Sequence, residues 1–442
     1  MIPSFSDNTL RRPGNLTVAR HEIFAWAMYD FANSGYTTVV LTAVFSAYFV
    51  GVVAGNAVDT GGMATLLWTI AMALTNFMVL VSAPVLGAIA DRGAHKKRFL
   101  AFTTIGCVFF TAMLGFVGPG DVALGMVFVI LASLMFASGE NFIAAFLPEI
   151  ASQSEMGRIS GYGWSLGYLG GLLVLGICLL YIHWAQSQGD TAAQYVPVTM
   201  WITAIMFGLA AFPTFIWLRE RAVPRPLKAG ENYIRAGFTR VRDTLSNTRR
   251  YQDLFRFLIT LTVYYCGINS VVVLAAIYAQ QVMGFSMQEI ISLILVVNVT
   301  AAAGALLFGL VQERLGSVRT LIVTLTVWIA ALVLAFFTES RAAFWLVANL
   351  VGVALGSSQS AGRALVGQFS PPERSAEFFG LWGLAGKLAA VIGPLVYGIV
   401  TFITHGNHRQ ALLSVCVFFV AGIILLFTVD ERRGRAVAIH RD

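Results

Sequence analysis

Four ionisable side chains lie inside or close to the ends of long apolar runs: Asp30, Glu140, Arg363 and Lys387. A charge at the centre of a membrane helix costs roughly 2.5–3.5 kcal/mol on insertion scales, so residues of this kind are kept for ion pairing, proton transfer or ligand recognition. Asn33, Ser34 and Thr37 follow Asp30 at i+3, i+4 and i+7 and share its helical face. An acid flanked by hydrogen-bonding groups suits an ammonium group or a proton. The alternative is a fixed lock, with Asp30 paired permanently to Lys387 or Arg363. Glu140-Asn141 beside Gly139 is the best-placed proton site, against the alternative of a carboxylate paired with an arginine. Lys387, four residues after Gly383 in a glycine-lined helix, can receive a carboxylate or phosphate or serve as a structural counter-ion. Gln359 and Arg363 share a face at i, i+4, where Arg363 either grips an anion or anchors the helix at the interface. Asn269 and Ser270 are expected to line a cavity, whereas Asn298 and Asn349 equally suit contacts between helices. Most tryptophans read as core or interface anchors, with Trp26 and Trp382 the two best placed to flank a solute.

The elements that hold these residues follow from composition. The chain has 442 residues, 57% of them hydrophobic and only 12% charged, against roughly 25% charged for a soluble domain. Twelve apolar runs are long enough, at about 20 residues, to cross a ~30 Å hydrocarbon core. They fall near 24–50, 65–90, 98–117, 122–148, 160–183, 196–218, 254–280, 288–311, 318–338, 342–368, 377–402 and 410–429. Backbone polar groups must be satisfied internally in lipid, so the runs are helices and the chain is an all-α membrane protein. Placing both termini in the cytoplasm puts 26 of the 29 Lys and Arg residues on that side, an asymmetry that sets orientation. The net charge of +7 therefore marks topology, and nucleic-acid binding is not expected. The first apolar run is too long for a cleaved leader and is preceded by a polar segment of more than 20 residues, so no signal peptide is expected. The four cysteines stand singly in apolar helices, and His405 and His408 lie in an outer loop without a nearby acid. Neither pattern suggests a disulfide framework or a metal site. No nucleotide-binding loop is present and no cofactor is expected.

The chain repeats itself. Gly87, Asp91, Arg92, Gly93 and Lys96 precede one expected helix, and Gly309, Glu313, Arg314, Gly316 and Arg319 return about 222 residues later. Each copy reads as Gly, three residues, acid, Arg, Gly and then a base, with one residue between Arg and Gly in the second copy only. Tyr29-Asp30…Asn33-Ser34 in helix 1 is matched by Tyr265-Cys266…Asn269-Ser270 in helix 7, and Pro148-Glu149 after helix 4 by Pro372-Glu373 after helix 10. The duplicated loop resembles that of the major facilitator superfamily between helices 2 and 3 and helices 8 and 9. Finer segments, including Trp26-Ala-Met-Tyr-Asp30-Phe-Ala-Asn33-Ser34, Phe146-Leu-Pro-Glu149 and Gly161-Tyr-Gly-Trp-Ser-Leu-Gly167, resemble the vacuole-effluxer, autophagy-related permease family.

The resemblance implies two pseudo-symmetric six-helix bundles, a major facilitator fold with a central cavity lined by helices 1, 4, 7 and 10, and transport of small solutes. It also implies that Asp91 meets the N-terminus of helix 11. Glu149 and Glu373, with Arg92, Arg158, Arg314 and Arg374, are expected to form gate ion pairs. The expected organisation is a cytoplasmic tail over 1–20, a first bundle over 21–218, a cytoplasmic loop over 219–253 and a second bundle over 254–430, ending in a tail over 431–442. An amphipathic basic helix is expected within the loop, with disorder in both tails. The resulting expectation is a non-enzymatic, monomeric secondary transporter in a bacterial cytoplasmic membrane. It would move an amino acid or small peptide by alternating access, with proton coupling and lipid contact. A carrier of lipids, amphiphiles or drug-like compounds on the same fold is the alternative.

Overall fold

The computed structural model describes residues 18–54, 63–222, 242, 250–285, 287–405 and 407–439. Among the described residues, twelve helices are long and apolar enough to span a membrane. They are α1 (Arg20–Val53), α2 (Met63–Gly93), α3 (Lys96–Leu114), α4 (Val122–Ala144), α5 (Met156–Ser187), α6 (Ala192–Trp217), α7 (Gln252–Gln281), α8 (Met287–Leu315), α9 (Ser317–Phe337), α10 (Arg341–Phe369), α11 (Ser375–Ile403) and α12 (His408–Leu426). A short α13 (Glu431–Ile439) follows. The expected amphipathic helix of the central loop falls almost wholly outside the described residues.

Local chemistry sets several helix ends. Thr191 and Gln194 form a reciprocal capping box at the start of α6, and the Asn407 side chain accepts from the Gln410 N–H at the start of α12. Gly316 turns the chain into α9 at φ 84°, a conformation that glycine adopts without a Cβ clash. Inside α1 the backbone widens to π-helical turns at Thr37–Ala43 and Phe49–Val53. Its repeat partner α7 stays α-helical throughout.

Packing repeats with the sequence. In the first half α1 lies on α5 and α6, α2 on α4, and α3 on α4 and α6; in the second, α7 lies on α11 and α12, α8 on α10, and α9 on α10 and α12. The halves meet through α2 against α11 and α5 against α8, with α4 against α11 and α5 against α10 inside. These seams depend on bare backbone. A Cβ on Gly87 would strike the Ala376 carbonyl, one on Gly380 would lie 2.7 Å from the Ala83 carbonyl, and one on Gly161 would lie 2.5 Å from that of Ala305.

A second duplicated device sits at the ends of the basic loops. The Glu220 carboxylate, just past α6, accepts the Lys96 and Lys97 N–H groups at 2.8 and 3.1 Å. Glu431, just past α12, accepts the Ser317 and Val318 N–H groups at 3.1 and 3.0 Å. Each carboxylate meets the unpaired donors and positive dipole end of a helix. The neighbouring arginines match as well: Arg221 pairs with Glu22 at 2.9 Å, and Arg433 pairs with Asp253 at 2.6 Å. The C-terminal segment therefore departs from the expected disorder over 431–439. Its acid caps α9, its arginines reach α7 and α10, and Ala438 is buried.

Candidate transport site at the seam between the halves

Helices α1, α5 and α10 converge on one buried ion pair. Arg363 Nη1 donates to Asp30 Oδ2 at 2.6 Å, its Nε to Ser160 Oγ at 3.1 Å and its Nη2 to the Ser160 carbonyl at 2.9 Å. The guanidinium is stacked 4.7 Å from the Trp26 ring and 5.3 Å from that of Trp164. Planar, delocalised charge suits this mixture of fork-like hydrogen bonds and ring faces, which a lysine ammonium does not reproduce. Ser160 Oγ donates in turn to the Ser360 carbonyl at 2.8 Å, so three helices and both halves are tied at one point. Gly163 leaves the space that the Asp30 and Arg363 side chains fill.

The other acid and base behave differently. Glu140 on α4 and Lys387 on α11 are partly exposed, and neither makes a hydrogen bond or ion pair with a described residue. The charges acting on Glu140 are those of Lys387, Asp30 and Arg363. The adjacent Asn141 amide lies against Gly383, one helical turn before Lys387, so the α4–α11 contact brings these two elements of the site together. On α1, α4, α5, α7, α10 and α11, several buried polar atoms have no partner among the described residues: both ends of the Asn33 amide, Asn141 Nδ2, Ser360 Oγ, Trp164 Nε1, Tyr265 Oη and Trp382 Nε1. The Tyr265 hydroxyl and Trp382 indole lie near each other without closing a hydrogen bond. Unsatisfied buried donors and acceptors are costly, and such atoms are ordinarily met by water or a ligand.

The other expected residues make bonds or contacts of their own. Gln359 accepts from the Tyr168 hydroxyl across the α5–α10 contact. Ser34 faces Gly167 and Gly171 on α5, within the first half. Asn269 donates to the Tyr265 carbonyl of its own helix at 2.8 Å, and Ser270 is fully buried and bonds to its own helix at Cys266. Ser160, Trp164, Tyr168 and Tyr265 were not among the expected site residues. An aromatic or small polar residue inside an apolar helix carries no period or motif that separates a cavity wall from ordinary packing.

The gate residues form a second network at the basic ends, buried at Asp91, Lys96, Glu149 and Glu377. Asp91 accepts the Ala376 and Glu377 N–H groups at 3.1 and 2.9 Å, at the start of α11. Lys96 Nζ pairs with Glu149, lies 3.6 Å from Asp91 and donates to Ser375 at 2.9 Å across the seam. The partner of Glu149 is thus Lys96, with the Arg221 N–H adding a bond at 2.5 Å. Arg158 pairs with Glu155 at 2.9 Å and with Glu313 of the second half at 3.4 Å. Arg374 pairs with Glu377, while Arg314 and Arg319 are exposed. Gln153 and Gln368 exchange side-chain bonds with each other's carbonyls, both at 3.1 Å. These contacts draw the basic ends of the two halves together.

The family model described as "Vacuole effluxer Atg22 like" matches residues 47–438. The chain is 28% identical over 417 residues to an uncharacterized MFS-type transporter, YxiO, of Bacillus subtilis, covering 94% of this chain and 96% of that one. It is 25% identical over 333 residues to autophagy-related protein 22 of Yarrowia lipolytica, covering 69% of this chain and 55% of the fungal protein. Among solved structures, the proton:xylose symporter XylE superposes with a TM-score of 0.72 at 13% identity, covering 94% and 96% of the two chains. A bacterial homologue of ferroportin in an outward-facing state gives 0.69, also at 13% identity, covering 93% and 99%. At that identity the likeness is one of fold.

Proposed function

Because the chain belongs to the vacuole-effluxer, Atg22-like family, and so is a transporter of the major facilitator superfamily, we propose that it carries a small zwitterionic solute, an amino acid or short peptide. The observation that carries this reading is that Glu140 on α4 and Lys387 on α11, helices in contact across the seam, bond to no described residue, while buried polar atoms on neighbouring helices lack a partner among the described residues. Glu140 receives the solute's ammonium group and Lys387 its carboxylate. The amides of Asn33 and Asn141, with the Tyr265 and Trp382 donors, complete the hydrogen bonding. The Asp30–Arg363 pair, already neutral and anchored, acts below this site as a latch between the halves.

The mechanism is alternating access. With the basic loops in the cytoplasm of a bacterial cell, the bonded gate and latch seal the inner side, and the site is reached from outside. Opening inward requires Arg363 to leave Asp30 and Ser160, Lys96 to leave Ser375, and Asp91 to leave the start of α11. A solute that bridges Glu140 and Lys387 neutralises both halves at once, which lowers the electrostatic barrier to moving them. In the empty carrier a proton on Glu140 serves the same end, and this is the proposed coupling site.

The test is counterflow of labelled amino acids and dipeptides in proteoliposomes holding the purified chain. Glu140→Gln and Lys387→Ala are expected to lower uptake of the accepted solute at least tenfold, in line with losing a charge-assisted contact of about 1.5–3 kcal/mol. Glu140→Gln is also expected to flatten the dependence on an imposed pH gradient. Unchanged uptake in both variants would remove the site.

A further inference from the structure

Apart from the transport site, a groove of about 540 Å³ opens on the basic face between α3 and α6. It is lined by His95, Lys97 and Arg98 at the start of α3, by Ala101 further along that helix, by Phe215 of α6 and by Glu220 just past α6. Glu220 is already occupied with the Lys96 and Lys97 N–H groups, and Lys97 Nζ donates to the Leu218 carbonyl at 2.6 Å. The helix start is therefore capped from within. What remains uncommitted is the exposed Arg98 guanidinium and the His95 imidazole, neither of which bonds to a described residue. Directly along α3 from Arg98 run Phe102, Ile105 and Phe109, exposed by 66%, 69% and 53%, and Phe212 of α6 is exposed by 61%. A cationic mouth thus leads into an apolar track on the lipid-facing side of two spanning helices.

We propose that this groove holds the headgroup of an anionic membrane phospholipid. Arg98 takes the phosphodiester oxygens in its fork, His95 adds a ring nitrogen, Lys97 contributes charge from the wall, and an acyl chain follows the Phe102–Ile105–Phe109 stripe. The competing occupant would be the chain's own segment over 223–249, which leaves the described structure next to Glu220. That segment carries Arg225, Lys228, Arg235, Arg240, Arg242 and Arg249 against Glu231 and Asp243. Its surplus of positive charge matches an anionic leaflet and is mismatched to a cationic groove.

The experiment is native mass spectrometry of the full chain in neutral detergent, titrated in turn with phosphatidylglycerol, phosphatidylcholine and glycerol phosphate. The wild-type chain is expected to retain phosphatidylglycerol in preference to phosphatidylcholine. Arg98→Gln should retain it about fivefold less, the weight of one basic side chain at an anionic surface. Ala101→Trp, which fills the groove without altering charge, should lose the same lipid. Equal retention by Arg98→Gln, or glycerol phosphate binding as tightly as the lipid, would overturn the proposal. So would efficient, lipid-independent cross-linking of Arg98→Cys to Arg235→Cys, which would assign the groove to the chain's own segment.

Discussion

Taking one charge from each acid–base set should have opposite consequences, because one set is bonded and the other is not. Asp30→Asn leaves a stacked guanidinium buried without its counter-ion, and losing one partner of such a pair costs about 3–5 kcal/mol. Thermal denaturation of the purified protein should register the fall, and Asp30→Asn/Arg363→Gln should recover most of it. A double variant as unstable as the single one would mean that the pair's worth lies in packing. Glu140→Gln and Lys387→Ala break no bond to a described residue, so their melting temperatures should stay close to wild type. The sequence made the four charges conspicuous but left their partners open. Asp30 and Arg363 are 333 positions apart, and no spacing rule chooses Arg363 over Lys387 as the mate of Asp30. Trp164 and Tyr265 were illegible for another reason: in lipid, as in a core, an aromatic residue is the ordinary filling.

Among the elements, the helices themselves were the legible part, since length and hydropathy alone determine what can cross a bilayer. The expected span 160–183 became Met156–Ser187 and 288–311 became Met287–Leu315, differences confined to polar ends where hydropathy fades before the hydrogen bonds do. The paired carboxylate caps were missed because a Glu-Arg after a span reads as an interfacial charge; their match, Glu220-Arg221 with Glu431 and Arg433, was the available signal. Glu431→Gln should cost about 1 kcal/mol, as for a lost cap, and speed amide exchange at the start of α9 while leaving α3 unchanged. Glu220→Gln should do the reverse. Exchange that rises equally at both helices would contradict local capping. At the seam, Gly161→Val places two methyl groups against the Ala305 carbonyl. A cysteine at Ser360, buried in the closed seam, should then become reactive to a maleimide, and continued protection would mean that the seam absorbs the bulk.

For the whole molecule, the bonds at the basic ends are what hold this state. Spin labels at Gly176 and Gly398, where an added side chain meets open space, report on the opposite ends of the two halves. Adding an accepted solute should shorten their separation, and the Asp30→Asn/Arg363→Gln pair should shorten it without solute. A distance indifferent to both would mean that the latch does not control which side is open. The doubled architecture was readable because the loop motif recurs in order. The state of the gate was not, since one sequence must serve every state of the cycle.

The seam acids Asp30 and Glu140 belong to the first six helices, and the bases Arg363 and Lys387 to the last six. Two copies of the leading unit placed face to face would crowd four carboxylates against one another; two of the trailing unit would crowd four cations. Whatever ancestor was doubled, its descendants have become electrically complementary partners. A chimaera that exchanges one for the other should assemble poorly even though every helix is kept.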